Sequence, residues 1–270
     1  MSYNHVISIV AATERRAHIR QEFGRQGIDF CFFDALTPSP ELTQAIAAVL
    51  PELDGVVQKM SGGEKACLMS HVSLWQKCID DNLPYIAVFE DDVFLGRDAA
   101  GFLSETAWLD ERFPVKQPWL LNLETVLREV NLKQDKTLAA YCGRAFYRVD
   151  STNSGGGAYM LSQAACRLLL GELKKMPSAS VRPIDVMIYD VWNGKTPLQL
   201  RQLVPALCLQ SCLYQGHGQL GSGLEAGRAA NIAEQGKRKM RRTWWEKIKH
   251  WCLKPVRMIV KRRRQSIPFV

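Results

Sequence analysis

The run His5-Val-Ile-Ser-Ile-Val10, the linker Ala11-Ala-Thr13, the stretch Glu14 to Gln26, and then Gly27 and Ile28-Asp-Phe-Cys-Phe-Phe33 before Asp34 decide the fold class. The first six residues form a short apolar run suited to a buried strand, and Ala11–Thr13 reads as a turn. Glu14–Gln26 reads as a helix, and Gly27 supplies its stop because glycine enters the left-handed region cheaply. Ile28–Phe33 is a second strand. Strand, helix and strand in this order make a βαβ unit, so the expectation is an α/β protein.

Further along, residues 36–60 are expected to be helical or irregular, with prolines at 38, 40 and 51. Ser61-Gly-Gly-Glu64 has the spacing of a capping box, in which serine and glutamate satisfy each other's free backbone N–H groups. It predicts a helix to about Asp81, stopped by Asn82-Leu-Pro84. Apolar strands are expected at Tyr85–Phe89, Trp119–Leu123, Arg144–Val149 and Ala158–Leu161, and a helix capped by Ser162 at Gln163–Lys175. A short helix should open at Pro183-Ile-Asp185. Gln199–Leu209 reads as extended with a break at Pro205, and 214–236 as a glycine-rich loop.

Of the 270 residues, 47% are apolar and 23% charged, a globular composition that excludes whole-chain disorder and low-complexity classes. No apolar window approaches the length of a membrane-spanning helix, and the amino terminus lacks the basic segment of a secretion signal, so none is expected. Eight cysteines are scattered without a Cys-x-x-Cys pair. They are expected to be reduced, without structural zinc. The net charge of +8 is uneven: residues 237–264 carry 13 Lys and Arg against one acid, while the rest has 22 basic and 26 acidic residues. A mildly acidic body with a basic tail argues against a nucleic-acid-binding protein, and no zinc-finger or RNP pattern is present.

Glu90-Asp91-Asp92 follows directly on an apolar strand. Three adjacent acids repel one another and resist desolvation. Open α/β folds bind ligands at the carboxyl ends of their strands, and a hard divalent cation there would relieve the repulsion. The cluster therefore suggests Mg2+ or Mn2+ held against a diphosphate; a polar turn opening a loop is the alternative.

The stretch Ser61-Gly-Gly-Glu-Lys-Ala-Cys-Leu-Met-Ser-His71 with Leu74-Trp75, then Tyr85-Ile-Ala-Val-Phe-Glu-Asp-Asp-Val93 with Leu95-Gly96, closely resembles glycosyltransferase family 25, and within it the lipooligosaccharide galactosyltransferases of Gram-negative bacteria. His5-Val-Ile-Ser8, Thr13-Glu-Arg-Arg-Ala-His-Ile19, Phe32-Phe-Asp-Ala35, Leu123-Glu-Thr125, Gly157-Ala-Tyr159, Pro183-Ile-Asp185 and Pro205-Ala-Leu-Cys208 fit the same family. The resemblance runs through about residues 4–225 and implies a GT-A-like nucleotide-sugar-binding fold with a mixed, mostly parallel sheet. It also implies a UDP-sugar donor, UDP-galactose first, and inversion at the anomeric carbon. Asp92 would then be a ligand of Mn2+ (or Mg2+), Asp91 would lie near the ribose or share the metal, and Glu90 would support them. His217 is the position for an added histidine ligand.

An inverting transfer needs a base for the acceptor hydroxyl and a counter-charge for the departing diphosphate. Asp185 is the candidate base, with Asp190 and Glu124 as rivals; an acid stabilising a helix N-terminus is the alternative for Asp185. Thr13, Arg15 and Arg16 at the first helix, Asp34 at the end of the second strand, and Glu64 are candidate donor contacts. For Glu64 the capping box competes, and for the arginines a solvated helix face. His71, mid-helix, reads better as a packing histidine. Glu124, Gly156 and Gly157 are candidates on the acceptor side, the glycines because backbone can approach a sugar there.

The chain divides into a transferase domain, 1–236, and a basic tail, 237–270. In the tail Trp244, Trp245, Ile248, Trp251, Cys252, Val256, Ile259 and Val260 recur at helical steps among Lys and Arg, with a kink expected at Pro255. Such a segment suits an anionic membrane surface, which fits a lipid-linked oligosaccharide acceptor and a peripheral position on the cytoplasmic face of the bacterial inner membrane. Packing on the enzyme's own body is the alternative. A catalytically dead, membrane-bound binding module is a further reading, against which the intact acidic triplet speaks.

Overall fold

The structure is a computed structural model that describes residues 2–51, 60–149, 153–214 and 264–270. The βαβ unit is present: β1 (Asn4–Ser8), α1 (Thr13–Gly24) and β2 (Cys31–Asp34), with β1 and β2 parallel in the register His5 opposite Cys31. Gly27 follows the helix with φ of 64°, as its stopping role requires. The first strand ends two residues early. Ile9 and Val10 leave the sheet into the β1–α1 turn and stand exposed.

After α2 (Pro40–Val49), helix α3 (Gly62–Asp80) begins on the expected capping box: Ser61 Oγ accepts from Glu64 N, and the Glu64 carboxylate accepts from Ser61 N at 2.9 Å. Next come β3 (Tyr85–Glu90), β4 (Val93–Leu95), the short helices α4 (Ala99–Leu103) and α5 (Ala107–Asp110), β5 (Trp119–Asn122), β6 (Glu124–Thr125), β7 (Glu129–Gln134) and β8 (Ala145–Val149). Strand β9 (Ala158–Ser162) leads straight into α6 (Gln163–Lys175), whose Ser162 cap accepts from Ala165 N at 3.1 Å. Helix α7 (Ile184–Val186) runs on into a π-helical turn, Met187–Trp192. The extended stretch splits at Pro205 into β10 (Gln199–Val204) and β11 (Cys208–Gln210), and β12 (Arg264–Ser266) closes the order.

Nine strands form one sheet in the order β12-β7-β8-β10-β5-β9-β3-β1-β2. Strands β2, β1, β3, β5, β10 and β7 run one way and β9, β8 and β12 the other, so the sheet is mixed with one dominant direction. Strand β9 lies antiparallel between the parallel blocks β2-β1-β3 and β5-β10. A small second sheet, β4-β11-β6, stands beside it.

Both faces of the central sheet are covered. Successive side chains of a strand point to opposite faces. Thus Ile86 and Val88 of β3 join a core with Leu74, Trp75, Leu169 and Trp192, while Tyr85, Ala87 and Phe89 join another with Phe23, Phe102 and Trp108. Burial of a side chain such as Phe89 is worth about 2–3 kcal/mol, which explains the unbroken apolar runs in the central strands.

Strand β7 escapes a sequence reading because Glu129-Val-Asn-Leu-Lys-Gln134 is mostly polar, with Val130 as its buried anchor. Its edge is covered by β12, in the register Arg264 opposite Asn131, and Ile267 is buried beyond it. Arg144 donates to the carbonyl of Val270 at 3.0 Å and to that of Ala206 at 2.8 Å. Residues 264–270, expected as part of the tail, therefore pack on the body; residues 237–263, with the tryptophan stripe, lie outside the described residues. No helix among the described residues is long and apolar enough to cross a membrane.

Candidate active site

The carboxyl ends of β1, β2, β3 and β5 open on one edge of the sheet, and because β9 is antiparallel its amino end, Gly157-Ala158, opens there too. This brings together residues that are far apart in sequence. Asp91 is buried and doubly held: Ser8 Oγ donates to Oδ2 at 2.7 Å and Arg15 Nη1 donates to Oδ1 at 2.5 Å. Such charge-assisted bonds outweigh neutral ones. Burial works against the charge on Arg15, but Asp91, Asp92 and Glu90 outweigh it and raise the guanidinium's pKa. Arg15 thus serves the acids themselves, a pairing its position on a helix could not disclose.

Asp92 is less well served. Its Oδ2 lies 3.8 Å from Arg15 Nη2, and its Oδ1 is buried without a hydrogen bond among the described residues. Burial, then repulsion from Glu90 and Asp91 against the pull of Arg15, pushes its carboxyl up to about 7. The Asp92 carbonyl accepts from Ser211 N at 2.8 Å, and Ser211 Oγ is buried without a hydrogen bond among the described residues. An orphaned carboxylate oxygen among acids is a donor suited to a hard divalent cation. Such an ion would be held first by Asp92, since both oxygens of Asp91 are already bonded to Ser8 and Arg15. Glu90 is held from other elements: Gln210 Nε2 donates to its Oε2 at 3.4 Å, and its Oε1 lies 3.9 Å from Cys67 Sγ.

Glu124, which opens β6 just past β5, is buried. Its Oε2 accepts from Gly157 N at 2.7 Å, and Oε1 has no hydrogen bond among the described residues. Burial, then the charge of Glu90 and with it that of Asp92, raises its pKa well above the usual range against the opposing Gly157 N–H. Through that N–H, Glu124 holds the glycine loop. A Cβ on Gly155, whose φ is 104°, would lie 2.9 Å from Glu124 Oε2, and one on Gly157 would lie 2.7 Å from Gln210 Nε2. At Gly155 the positive φ and the nearness of Glu124 both favour glycine, and at Gly157 an added side chain would press on the end of Gln210.

Asp185 begins α7, half-buried, with Oδ1 accepting from Val186 N at 2.9 Å. Ile184 beside it would meet a Cβ on Gly156 at 3.3 Å, and the charges of Asp185 and Glu124 both bear on buried Tyr189. Ile184 thus packs at the glycine loop with Asp185 next to it in the chain, whereas Asp190 is exposed on the π-helical turn. Thr13 is exposed at the first position of α1. Arg16 ties the β1–α1 turn to β2: it donates to the Ser8 carbonyl at 3.0 Å, pairs with exposed Asp34, and its guanidinium sits 4.7 Å over the Phe32 ring. Glu64 closes its capping box. His71 is fully buried, sharing a hydrogen bond of 2.7 Å with Tyr159 Oη, in keeping with the packing role. His217 lies outside the described residues.

Comparison with known proteins adds to this geometry. The family described as glycosyltransferase family 25 (LPS biosynthesis protein) matches residues 1–188. The chain belongs to glycosyltransferase family 25. Its relatives include the lacto-N-neotetraose biosynthesis glycosyltransferase LgtB of Neisseria meningitidis serogroup B, 41% identical over 99% of this chain and 98% of that protein. LgtE of Neisseria gonorrhoeae, named for the same biosynthesis, is 43% identical over 88% and 84%. The lipooligosaccharide biosynthesis protein lic2B of Haemophilus influenzae is 40% identical over 89% and 88%. A solved glycosyltransferase involved in glycosylation of the major capsid of PBCV-1 superposes with a TM-score of 0.38 at 10% identity over 84% of this chain and 98% of that one, a likeness too loose to argue from.

A family-25 glycosyltransferase needs a sugar donor and an oligosaccharide acceptor. Ser8, Gln210, Ser211, Cys67 and Tyr159 also stand at the sheet edge described above, and reading the sequence alone misses them. The polar break of Ser8 inside the apolar run His5–Val10 is a visible signal. Gln210 and Ser211 give none, because their place depends on β11 returning beside β4.

Proposed function

We propose that this transferase moves a hexose, galactose from UDP-galactose, onto a core sugar of lipooligosaccharide with inversion. A glucosyl donor in the same biosynthesis is the second reading, since galactose and glucose differ at one hydroxyl. The observation that carries the proposal is Asp92 Oδ1, buried without a hydrogen bond among the described residues, beside Asp91 and Glu90 at the end of β3. The relatives named for lacto-N-neotetraose and lipooligosaccharide biosynthesis support the acceptor class.

In this reading the fold is GT-A-like, and Mn2+ (or Mg2+), held by Asp92 with Asp91, supplies charge neutralisation for the departing UDP. The chain's own residues do the rest. Asp185 accepts the proton of the acceptor hydroxyl as that oxygen bonds to the anomeric carbon and the carbon–phosphate oxygen bond breaks on the opposite face. Arg15 pairs with Asp91 and keeps it in place. Glu124 holds the Gly155–Gly157 backbone where a sugar would lie, and this positioning contributes part of the rate. The basic segment 237–264 brings the enzyme to an anionic membrane surface at the cytoplasmic face of the inner membrane, where a lipid-linked acceptor would be met.

The test is a donor screen with the purified protein against UDP-galactose and UDP-glucose, with Mn2+, with chelator, and with Asp92→Asn. Turnover of UDP-galactose that needs the cation and falls at least about 100-fold in the variant is expected. Full turnover in chelator would refute it. For the membrane, Lys and Arg within 237–263 should be neutralised rather than the tail deleted, because 264–270 belong to the sheet. Unchanged binding to anionic vesicles would reject the attachment.

A further inference from the structure

The three ligand-bearing groups Cys67, His71 and Glu90 converge at the first acid of the triplet. Cys67 and His71 are four residues apart on α3, so both project from one face of the helix towards the end of β3. Cys67 Sγ lies 3.9 Å and His71 Nε2 3.6 Å from Glu90 Oε1, and the three ligand atoms all lie within 4.8 Å of one another. In a tetrahedral zinc site with bonds of about 2.0–2.3 Å, neighbouring ligand atoms are roughly 3.3–3.6 Å apart. The cluster is therefore within a few tenths of an ångström to about one ångström of that geometry. His71 is fully buried, and its Nε2 has no hydrogen bond among the described residues. A buried ring nitrogen without such a partner, aimed at a carboxylate and a thiol, is an independent pointer to a ligand.

We propose that Cys67, His71 and Glu90 form a binding site for a borderline-soft divalent cation of the Zn2+ class, separate from the hard-ion position at Asp91 and Asp92. Thiolate and imidazole select for Zn2+ or Co2+ over Mg2+. Binding releases the Cys67 thiol proton to solvent, and three protein ligands leave a fourth position for water. Tyr159 Oη, which shares the hydrogen bond with His71 Nδ1 and also accepts from Trp75 Nε1 at 3.1 Å, takes the outer place. When Nδ1 is the donor in that bond, the Nε2 lone pair faces the ion, and a second-shell acceptor of this kind orients metal-bound histidines generally.

The experiment reads binding, so it stands apart from the transfer reaction. Co2+ is titrated into the metal-stripped wild-type protein and into Cys67→Ser, and thiolate-to-cobalt charge-transfer absorption is followed in the near ultraviolet. The wild type should develop the band and lose it on adding Zn2+, and the variant should show none. A chromophoric chelator should report Zn2+ held at least tenfold more tightly by the wild type. In a second measurement that needs no variant, Zn2+ but not Mg2+ should slow alkylation of Cys67 at least fivefold, read by mass spectrometry. A wild type without the band, a band that persists in Cys67→Ser, or unprotected Cys67 would each overturn the site.

Discussion

Replacing Asp92 by asparagine should stabilise the cation-free protein while disabling it. The carboxyl of Asp92 is pushed from 3.8 to about 7, first by burial and then by Glu90 and Asp91. An unfolded chain releases this proton near pH 4, and the folded chain keeps it to about pH 7. Folding therefore takes up a proton between these values, and stability falls as pH rises through that window, with the full penalty standing above it. A shift of about three units corresponds to a ceiling of about 4 kcal/mol. The three acids share their repulsion, and Arg15 lies 3.8 Å from Asp92, so about 1–3 kcal/mol is expected. Asparagine carries no charge to desolvate and keeps the shape. Urea unfolding in chelator should show Asp92→Asn more stable than the wild type by that amount at pH 8 and nearly equal to it at pH 3. An asparagine variant no more stable at pH 8, or an advantage equal at both pH values, would refute the reasoning. Adding Mn2+ at pH 8 should raise the wild-type midpoint and leave the variant's unchanged; no shift in either would count against the cation proposal.

Glu124→Ala should cost about 2–4 kcal/mol, because it orphans the buried N–H of Gly157 and leaves a cavity, whereas Glu124→Gln should cost under about 1 kcal/mol, since its amide oxygen can still accept from Gly157 N and it brings no charge to desolvate; chemical denaturation compares them. Burial opposes the charge of Asp135, but the hydroxyl and N–H of Thr137, with Arg201 and Arg148, outweigh it and hold the carboxyl at about 2. Its stabilisation is present above about pH 4 and lost as pH falls through 2, so Asp135→Asn should lower stability at pH 7 by about 1 kcal/mol, after allowance for solvent at half-exposed Arg148, and the difference should vanish towards pH 2. Removing residues 264–270 should lower the unfolding midpoint by several degrees, since it exposes Ile267's site and strips Arg144 of an acceptor; an unchanged midpoint would mean that β12 contributes nothing to the body.

Signals carried by a few neighbouring residues are legible in the amino-acid sequence itself. The apolar runs at β1, β3, β5 and β9, the Ser61–Glu64 capping box, the Ser162 cap and the Glu90–Asp92 triplet each depend on local period or spacing, and the α/β class follows from their alternation. The family too is legible, because its motifs are local strings. What each acid does is decided elsewhere. Arg15 meets Asp91 across 76 residues, Gly157 meets Glu124 across 33, and Cys67 meets Glu90 across 23, all because sheet order sets β1, β3, β5 and β9 side by side. Tertiary placement then separates the acids: Asp91 has an arginine for its partner, while burial beside Glu90 drives the pKa of Glu124 upward. Spacing along a chain cannot encode these outcomes, because desolvation and charge pairing depend on distances through space, and those exist only once the strands have found their partners.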